Sequence, residues 1–214
     1  METKVKKKLP LYKLVINDEN KEGIDCISLV SDPAIEVPWI AMHKQNESHE
    51  IQFAVDNVEQ QTILGPVLIP GIPIFRRNFT IDENGVGQDA EVYFDAEDVE
   101  SIVQKFFKMQ NESNVDLEHN GLKINGAFLY QSFISDKANG INPKQFADLP
   151  DKTFYAKFKV VDPELWTSIK QGVFTGFSLA GFFDSIPIKQ SMDKTEQELL
   201  YELYDLLEKI EKLG

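Results

Sequence analysis

The sequence has little cysteine and histidine and lacks several common motifs, and these absences exclude whole classes of protein. Cys26 is the single cysteine in 214 residues, which excludes an intrachain disulfide framework and a zinc site built from cysteines. No H-x-x-x-H, H-E-x-x-H, G-x-x-x-x-G-K-[ST] or G-x-G-x-x-G spacing occurs, so neither metal nor nucleotide chemistry is indicated. We therefore expect a site that works with no metal and no cofactor.

Long apolar runs and an excess of basic residues are also missing. No run approaches the roughly 20 apolar residues that span a bilayer. The basic residues at the start are not followed by an apolar segment, so no secretory signal is predicted. The net charge of -13 argues against a chain that grips DNA or RNA. We expect a cytoplasmic protein with neither membrane nor nucleic acid as partner.

The patterns that are present predict an α+β fold, because strand-like runs outnumber helical ones. Strands are predicted at LYKLVI, IDCISLV, VPWIAM, VDLEH, INGAFLYQSFIS and KTFYAKFKV, and at Ala90–Phe94 in a hairpin. Thr62–Phe75 is predicted to form two strands or one bulged strand. One helix is predicted after an Asp95 cap, with an apolar stripe of Val99, Ile102, Val103 and Phe106. A second begins at Asp162-Pro163 and ends at Gly172.

The composition divides the chain into three parts. Residues 1–50 are interpreted as an extended N-terminal subregion, and residues 51–190 as the main β-rich domain. Residues 191–214 are predicted to form an amphipathic helix with heptad spacing, seen in Leu199, Leu203, Leu206, Ile210 and Leu213. About three heptads are marginal alone, so this helix is expected to need a partner surface.

Ser178 is the main candidate for chemistry, since it interrupts the apolar run FTGFSLAGFF. Strand alternation puts Gly176, Ser178 and Ala180 on one face, where small neighbours leave room for another molecule to reach the hydroxyl. A locally packed serine explains the same pattern, and no G-x-S-x-G elbow is present. The pattern alone leaves both interpretations open.

His119, at the end of VDLEH, is the candidate base for such a serine. His43 and His49 lie in a polar stretch, whereas a histidine at a strand end is able to reach a neighbouring strand. A structural hydrogen bond would account for His119 equally well. Asp116 and Glu118 are the nearest candidates for a third residue, but strict alternation puts both on the opposite face, so that residue stays unassigned.

Arg76 and Arg77 are the only arginines in the chain. Adjacent arginines are suited to an oxyanion or a substrate carboxylate, and a salt-bridged strand end is the alternative. Together with Gly176 they are the candidate oxyanion or substrate-binding residues.

Several stretches together resemble the phage prohead (capsid maturation) proteases, in particular the XkdF-like branch. They are PVLIPGIPIFRRN, EVYFDAEDVESIVQKFF, NVDLEHN and FYAKFKVVDPELWTSIKQGVFTGFSLAGFF, with IDCISLVSDPAIEVPW also similar. The resemblance covers residues 10–184. Its most specific parts are the histidine motif LEHN and, later in the chain, the serine motif GFSLAG.

The resemblance implies a mostly antiparallel β-barrel similar to herpesvirus assemblin, with flanking helices. It implies a serine endopeptidase with Ser178 as nucleophile and His119 as base. Its substrates would be scaffold and major capsid protein inside the phage procapsid, in the cytoplasm of the bacterial host. The C-terminal helix would then serve self-association or docking to scaffold.

Ala180 departs from the family pattern, because relatives often carry an acidic residue two positions after the serine. The alternative is therefore a catalytically inactive relative that acts as an internal scaffold or assembly factor. A further alternative is an unrelated β-rich binding module, in which Ser178 and His119 would lie far apart.

Overall fold

The computed structural model describes residues 9–18, 21–33, 60–82 and 84–188, and the backbone of 36–37, 49–50 and 54–57. The described secondary structure is α+β, as predicted, with strands predominating. In chain order the elements are β1 (Leu11–Val15), β2 (Gly23–Val30), β3 (Glu36–Val37), β4 (His49–Glu50), β5 (Ala54–Asn57), β6 (Thr62–Leu68), β7 (Ile74–Ile81), β8 (Gly87–Phe94), α1 (Val99–Lys108), β9 (Val115–Leu117), β10 (Ala127–Ile134), β11 (Phe154–Val160), α2 (Pro163–Lys170), β12 (Gly176–Phe182) and β13 (Asp184–Ile188).

The strands form three main sheets. Their orders are β13-β1-β8-β7, β10-β11-β6-β5 and β12-β2-β9, and the short strands β3 and β4 pair with each other. Within the described residues seven strand pairs are antiparallel, and two, β1–β8 and β2–β9, are parallel. The expectation of a closed barrel is corrected here, because no ladder between described strands joins the sheet edges into a cylinder.

Local sequence patterns account for most of these elements. In β11 the alternation of FYAKFKV leaves Lys157 and Lys159 partly exposed, while Phe158 and Val160 are buried. Helix α2 begins as predicted, with the Asp162 carboxylate accepting the N–H of Leu165 and proline at the first helical position. Gly172 follows the helix with a φ of +75°, a conformation that favours glycine.

The start of α1 differs from the prediction. The predicted cap, Asp95, lies before the helix, and Asp98 occupies the N-cap position without a side-chain capping bond. Both carboxylates bind the Lys13 ammonium of β1 instead, at 3.2 and 2.9 Å. The apolar stripe of α1 is buried as predicted. A tertiary ion pair has therefore replaced the local cap.

The core lies between the sheets and the two helices. Trp166 and Ile169 of α2 and Phe106 of α1 are buried in it. The rings of Phe158 in β11 and Phe177 in β12 are 4.9 Å apart. Each such buried ring contributes roughly 1.5–3 kcal/mol, so this contact holds β12 firmly against the neighbouring sheet.

The predicted N-terminal part, residues 1–50, contributes two strands to the sheets of the predicted main domain. β1 pairs with β8 and β13, and β2 pairs with β9 and β12. The boundaries at residues 50 and 190 stay predictions. The predicted heptad helix of residues 191–214 and the predicted strand VPWIAM lie outside the described residues, apart from Val37 in β3. Among the helices that are described, none has the length and apolar character to cross a membrane.

Candidate active site

The three-stranded sheet β12-β2-β9 carries a row of polar side chains. Ser178 lies opposite Ser28, and Ser28 lies opposite Asp116. Register partners project to the same face of a sheet, so these side chains are neighbours. Their exposed fractions are only 7%, 0% and 4%. Burying three polar side chains in one row costs free energy unless the groups are hydrogen-bonded or serve a function.

His119 reaches this row because strand β9 ends two residues before it. β9 ends at Leu117, and Glu118 and His119 both have a φ of 53°, in the left-handed region. The strand predicted through His119 was therefore wrong at its end, and so was the alternation argument that placed Asp116 on the opposite face. The turn reverses the direction of the His119 side chain and brings it over Ser28.

Several hydrogen bonds fix this unusual turn, including one from the N–H of Glu118 to the carbonyl of Leu29. The Asp116 carboxylate accepts the N–H of Gly121 at 2.9 Å, and the Glu118 carboxylate accepts the N–H of Ser31 at 2.8 Å. The N–H of Asn120 donates to the carbonyl of Leu117. Left-handed backbone at non-glycine residues persists only where the surroundings stabilise it, and such strain concentrates at functional sites.

His119 is hydrogen-bonded to a serine, and that serine is Ser28. His119 Nδ1 and Ser28 Oγ are 2.8 Å apart. Within the described residues the Ser178 hydroxyl has no hydrogen-bond partner. Ser28 was not among the predicted site residues, although it interrupts the apolar run IDCISLV as Ser178 interrupts FTGFSLAGFF. The strand pairing that joins the two serines was not readable from the pattern.

Ser178 and His119 line one cleft of about 550 Å³. Arg76 is the third polar side chain in its lining, and the remaining wall is mainly apolar: Leu14, Phe79, Val92, Phe94, Leu179, Ala180, Gly181 and Phe183. Such a cleft, apolar with a few converging polar groups, is typical of a substrate site. The two residues predicted as nucleophile and base thus share one concave surface.

The three predicted oxyanion or substrate-binding residues are separated by the fold. Arg76 is half-buried in the cleft, where burial lowers the pKa of its guanidinium, and it donates to the carbonyl of Phe75 at 3.3 Å. It forms no ion pair with any residue the structure describes. Arg77 is exposed and Gly176 is buried at the start of β12, and neither belongs to the cleft lining.

Cys26, next to the polar row, is not suited to act as the nucleophile. Burial, and secondly the negative charge of Asp116, raise the pKa of its thiol to about 11. The thiol is therefore protonated near neutral pH, whereas cysteine attacks as the thiolate. The part of the chain that the structure describes contains no cluster of three or more His, Cys, Asp or Glu side chains arranged to hold a metal ion.

A comparison with known protein families gives a match that includes the motifs of His119 and Ser178. The sequence model of the family described as "Putative phage serine protease XkdF" matches residues 81–187, which are 107 of the 214 residues. The chain belongs to this family. The match spans both LEHN and GFSLAG, and it confirms the resemblance to phage prohead proteases. No curated protein and no solved structure matches the chain.

Proposed function

We propose that this chain is a serine endopeptidase in which Ser178 is the nucleophile and His119 the general base. The single observation that carries the proposal is that both residues line one cleft, although Ser178 lies in β12 and His119 lies in the turn after β9. Membership of a phage serine protease family supports the same chemistry.

The reaction follows from the groups present. Ser178 Oγ attacks the scissile carbonyl carbon while its proton passes to His119 Nε2, the ring nitrogen that Ser28 does not engage. The imidazolium returns that proton to the leaving amine as the C–N bond breaks, which leaves an acyl ester on Ser178. Water then attacks the ester with His119 as base, and the serine hydroxyl and a carboxylic acid are released.

Arg76 supplies the positive charge in the cleft. Its guanidinium has donors left over after its bond to Phe75, and it lines the same cleft as Ser178. In a partly dry cleft such donors stabilise negative charge on a substrate carboxylate or on the oxyanion. Arg77 and Gly176 lie outside the lining, so we give Arg76 alone this role.

The substrates that fit the family are scaffold and major capsid protein, cleaved inside the immature phage head. The proposal includes cleavage of the chain itself, and docking to scaffold through residues 191–214. The net charge of -13 suits retention among basic segments of a scaffold.

The test is intact-mass analysis of the major capsid protein after co-expression with this chain in assembling heads. Wild type is compared with Ser178→Ala, and with Ser135→Ala as a control. Ser135 is another buried serine, but its hydroxyl accepts the N–H of Thr153, away from the cleft. Loss of a capsid-protein segment with wild type and Ser135→Ala, and not with Ser178→Ala, is the expected result.

Equal processing with Ser178→Ala would refute the proposal. Absence of processing with every variant, in heads that still assemble only when the chain is present, would support the inactive assembly factor. One observation favours that second function: His119 is bonded to buried Ser28 and not to Ser178. Hydrogen bonds between catalytic groups are often long before substrate binds, so the protease remains our conclusion.

A further inference from the structure

The geometry points to Ser28 as the positioning residue of this site, accepting the Nδ1–H of His119 so that Nε2 is free to take the proton of Ser178. This inference rests on the proposed function. It assigns the third position that the sequence left open, and assigns it to a serine where acidic residues had been the candidates.

Burial limits what Ser28 is able to do. Its exposed fraction is 0%, so its hydroxyl cannot reach a peptide substrate. Its 2.8 Å contact is with Nδ1 of an exposed histidine on the wall of the cleft. A buried group that binds one ring nitrogen fixes the rotation of the ring and selects its tautomer, which is the orienting role in a catalytic triad.

The direction of this hydrogen bond follows from the groups behind Ser28. The Asp116 carboxylate is the strand partner of Ser28, and both side chains are buried. An ionised carboxylate only accepts hydrogen bonds, so it favours a Ser28 hydroxyl whose proton points toward β9. The Ser28 oxygen is then turned to accept the Nδ1–H of His119. The buried carboxylate thus favours the imidazole proton on Nδ1.

Asp116 is suited to this role because one of its two carboxylate oxygens lacks a hydrogen-bond partner among the described residues. Its Oδ2 accepts the N–H of Gly121, whereas its buried Oδ1 has no hydrogen-bond partner among the described residues. A buried, under-satisfied carboxylate oxygen attracts any nearby donor. β2, which carries Ser28, lies before residues 81–187, so the family match does not assign this role.

The activity test uses a fluorophosphonate probe, which reacts with an activated serine and is located by peptide mass. We expect wild type to be labelled at Ser178. In Ser28→Ala the labelling rate should fall roughly 10- to 100-fold, as for loss of a hydrogen bond to a group that becomes charged. Ser135→Ala should label at the wild-type rate. Wild-type labelling of Ser28→Ala would overturn the inference and leave the proposed function intact.

The second measurement does not depend on activity. Imidazole ¹⁵N NMR reports which ring nitrogen carries the proton, and His119→Gln identifies the His119 signal among the three histidines of the chain. The inference predicts an Nδ1–H imidazole in wild type and loss of that preference in Ser28→Ala. An Nε2–H imidazole in wild type would overturn it. If Ser178 is never labelled but the Nδ1–H form is found, the proposed function fails and the orientation by Ser28 stands.

Discussion

Replacing Asp116 with alanine should loosen the turn that carries His119 without unfolding the protein. The carboxylate has one described hydrogen bond, to the N–H of Gly121, and this bond closes the turn in which Glu118 and His119 adopt left-handed backbone. The substitution removes the bond and the buried charge together and leaves the strand pairing of β9 in place.

The structure gives the size of each effect. Two left-handed non-glycine residues cost roughly 1–2 kcal/mol each. A hydrogen bond to a charged group contributes roughly 1.5–3 kcal/mol, so it offsets most of that strain. Because the lost carboxylate was buried with one oxygen unpaired, its removal also relieves a desolvation penalty. The free energy of unfolding should therefore change by about 1 kcal/mol or less, while local opening of the turn becomes roughly 10- to 150-fold more frequent.

Amide hydrogen exchange separates these two effects. Exchange of the Gly121 amide should accelerate roughly 10- to 150-fold in Asp116→Ala, by the energies above, while the urea midpoint barely moves. Asp151→Ala is the matched control, because its carboxylate accepts the N–H of Lys137 away from the site. There the Lys137 amide should lose protection and Gly121 should not. Unchanged exchange at Gly121 in Asp116→Ala would refute the role given to this bond.

Three further predictions concern the residues around the site and the backbone. The rate of Cys26 alkylation should rise with pH according to a pKa near 11. Asp116→Asn should lower that pKa and speed alkylation at pH 8, because a nearby negative charge disfavours the thiolate. An unchanged rate would contradict this. Gln110→Gly should raise the free energy of unfolding in urea by roughly 0.5–1 kcal/mol, because Gln110 has a φ of 59°, whereas Gln104→Gly within α1 should lower it. Gly181→Ala should lower it by roughly 1–3 kcal/mol, because a Cβ there would overlap the carbonyl oxygen of Gly23; an unchanged urea midpoint would refute that explanation.

The secondary structure was largely predictable from the sequence because its signals are local. Alternation predicted β1 and β11, an apolar run predicted β2, and the Asp162-Pro163 pair predicted the start of α2. The failures came from contacts distant in sequence. The cap of α1 was misplaced because Lys13 draws both Asp95 and Asp98 into an ion pair. The closed barrel, expected from the family resemblance, was wrong, because closure depends on long-range strand pairings that no local pattern encodes.

The site was predicted in part for the same reason. The motifs around His119 and Ser178 are local, so the sequence was sufficient to name both residues as candidates. Of the two arginines, only Arg76 lines the cleft, a result of packing and not of sequence. Ser28 was missed because its significance lies entirely in its strand partners, Ser178 and Asp116.

The sequence alone determined which side chains are candidates for catalysis, because a serine within an apolar run and a histidine just after a short strand are visible in the chain itself. Tertiary structure alone decided how they meet. A two-residue left-handed turn reversed the face of His119, and strand pairing set Ser178 beside Ser28 and Asp116. Alternation assumes that a strand continues, and only the folded chain, through its long-range hydrogen bonds, determines where it stops.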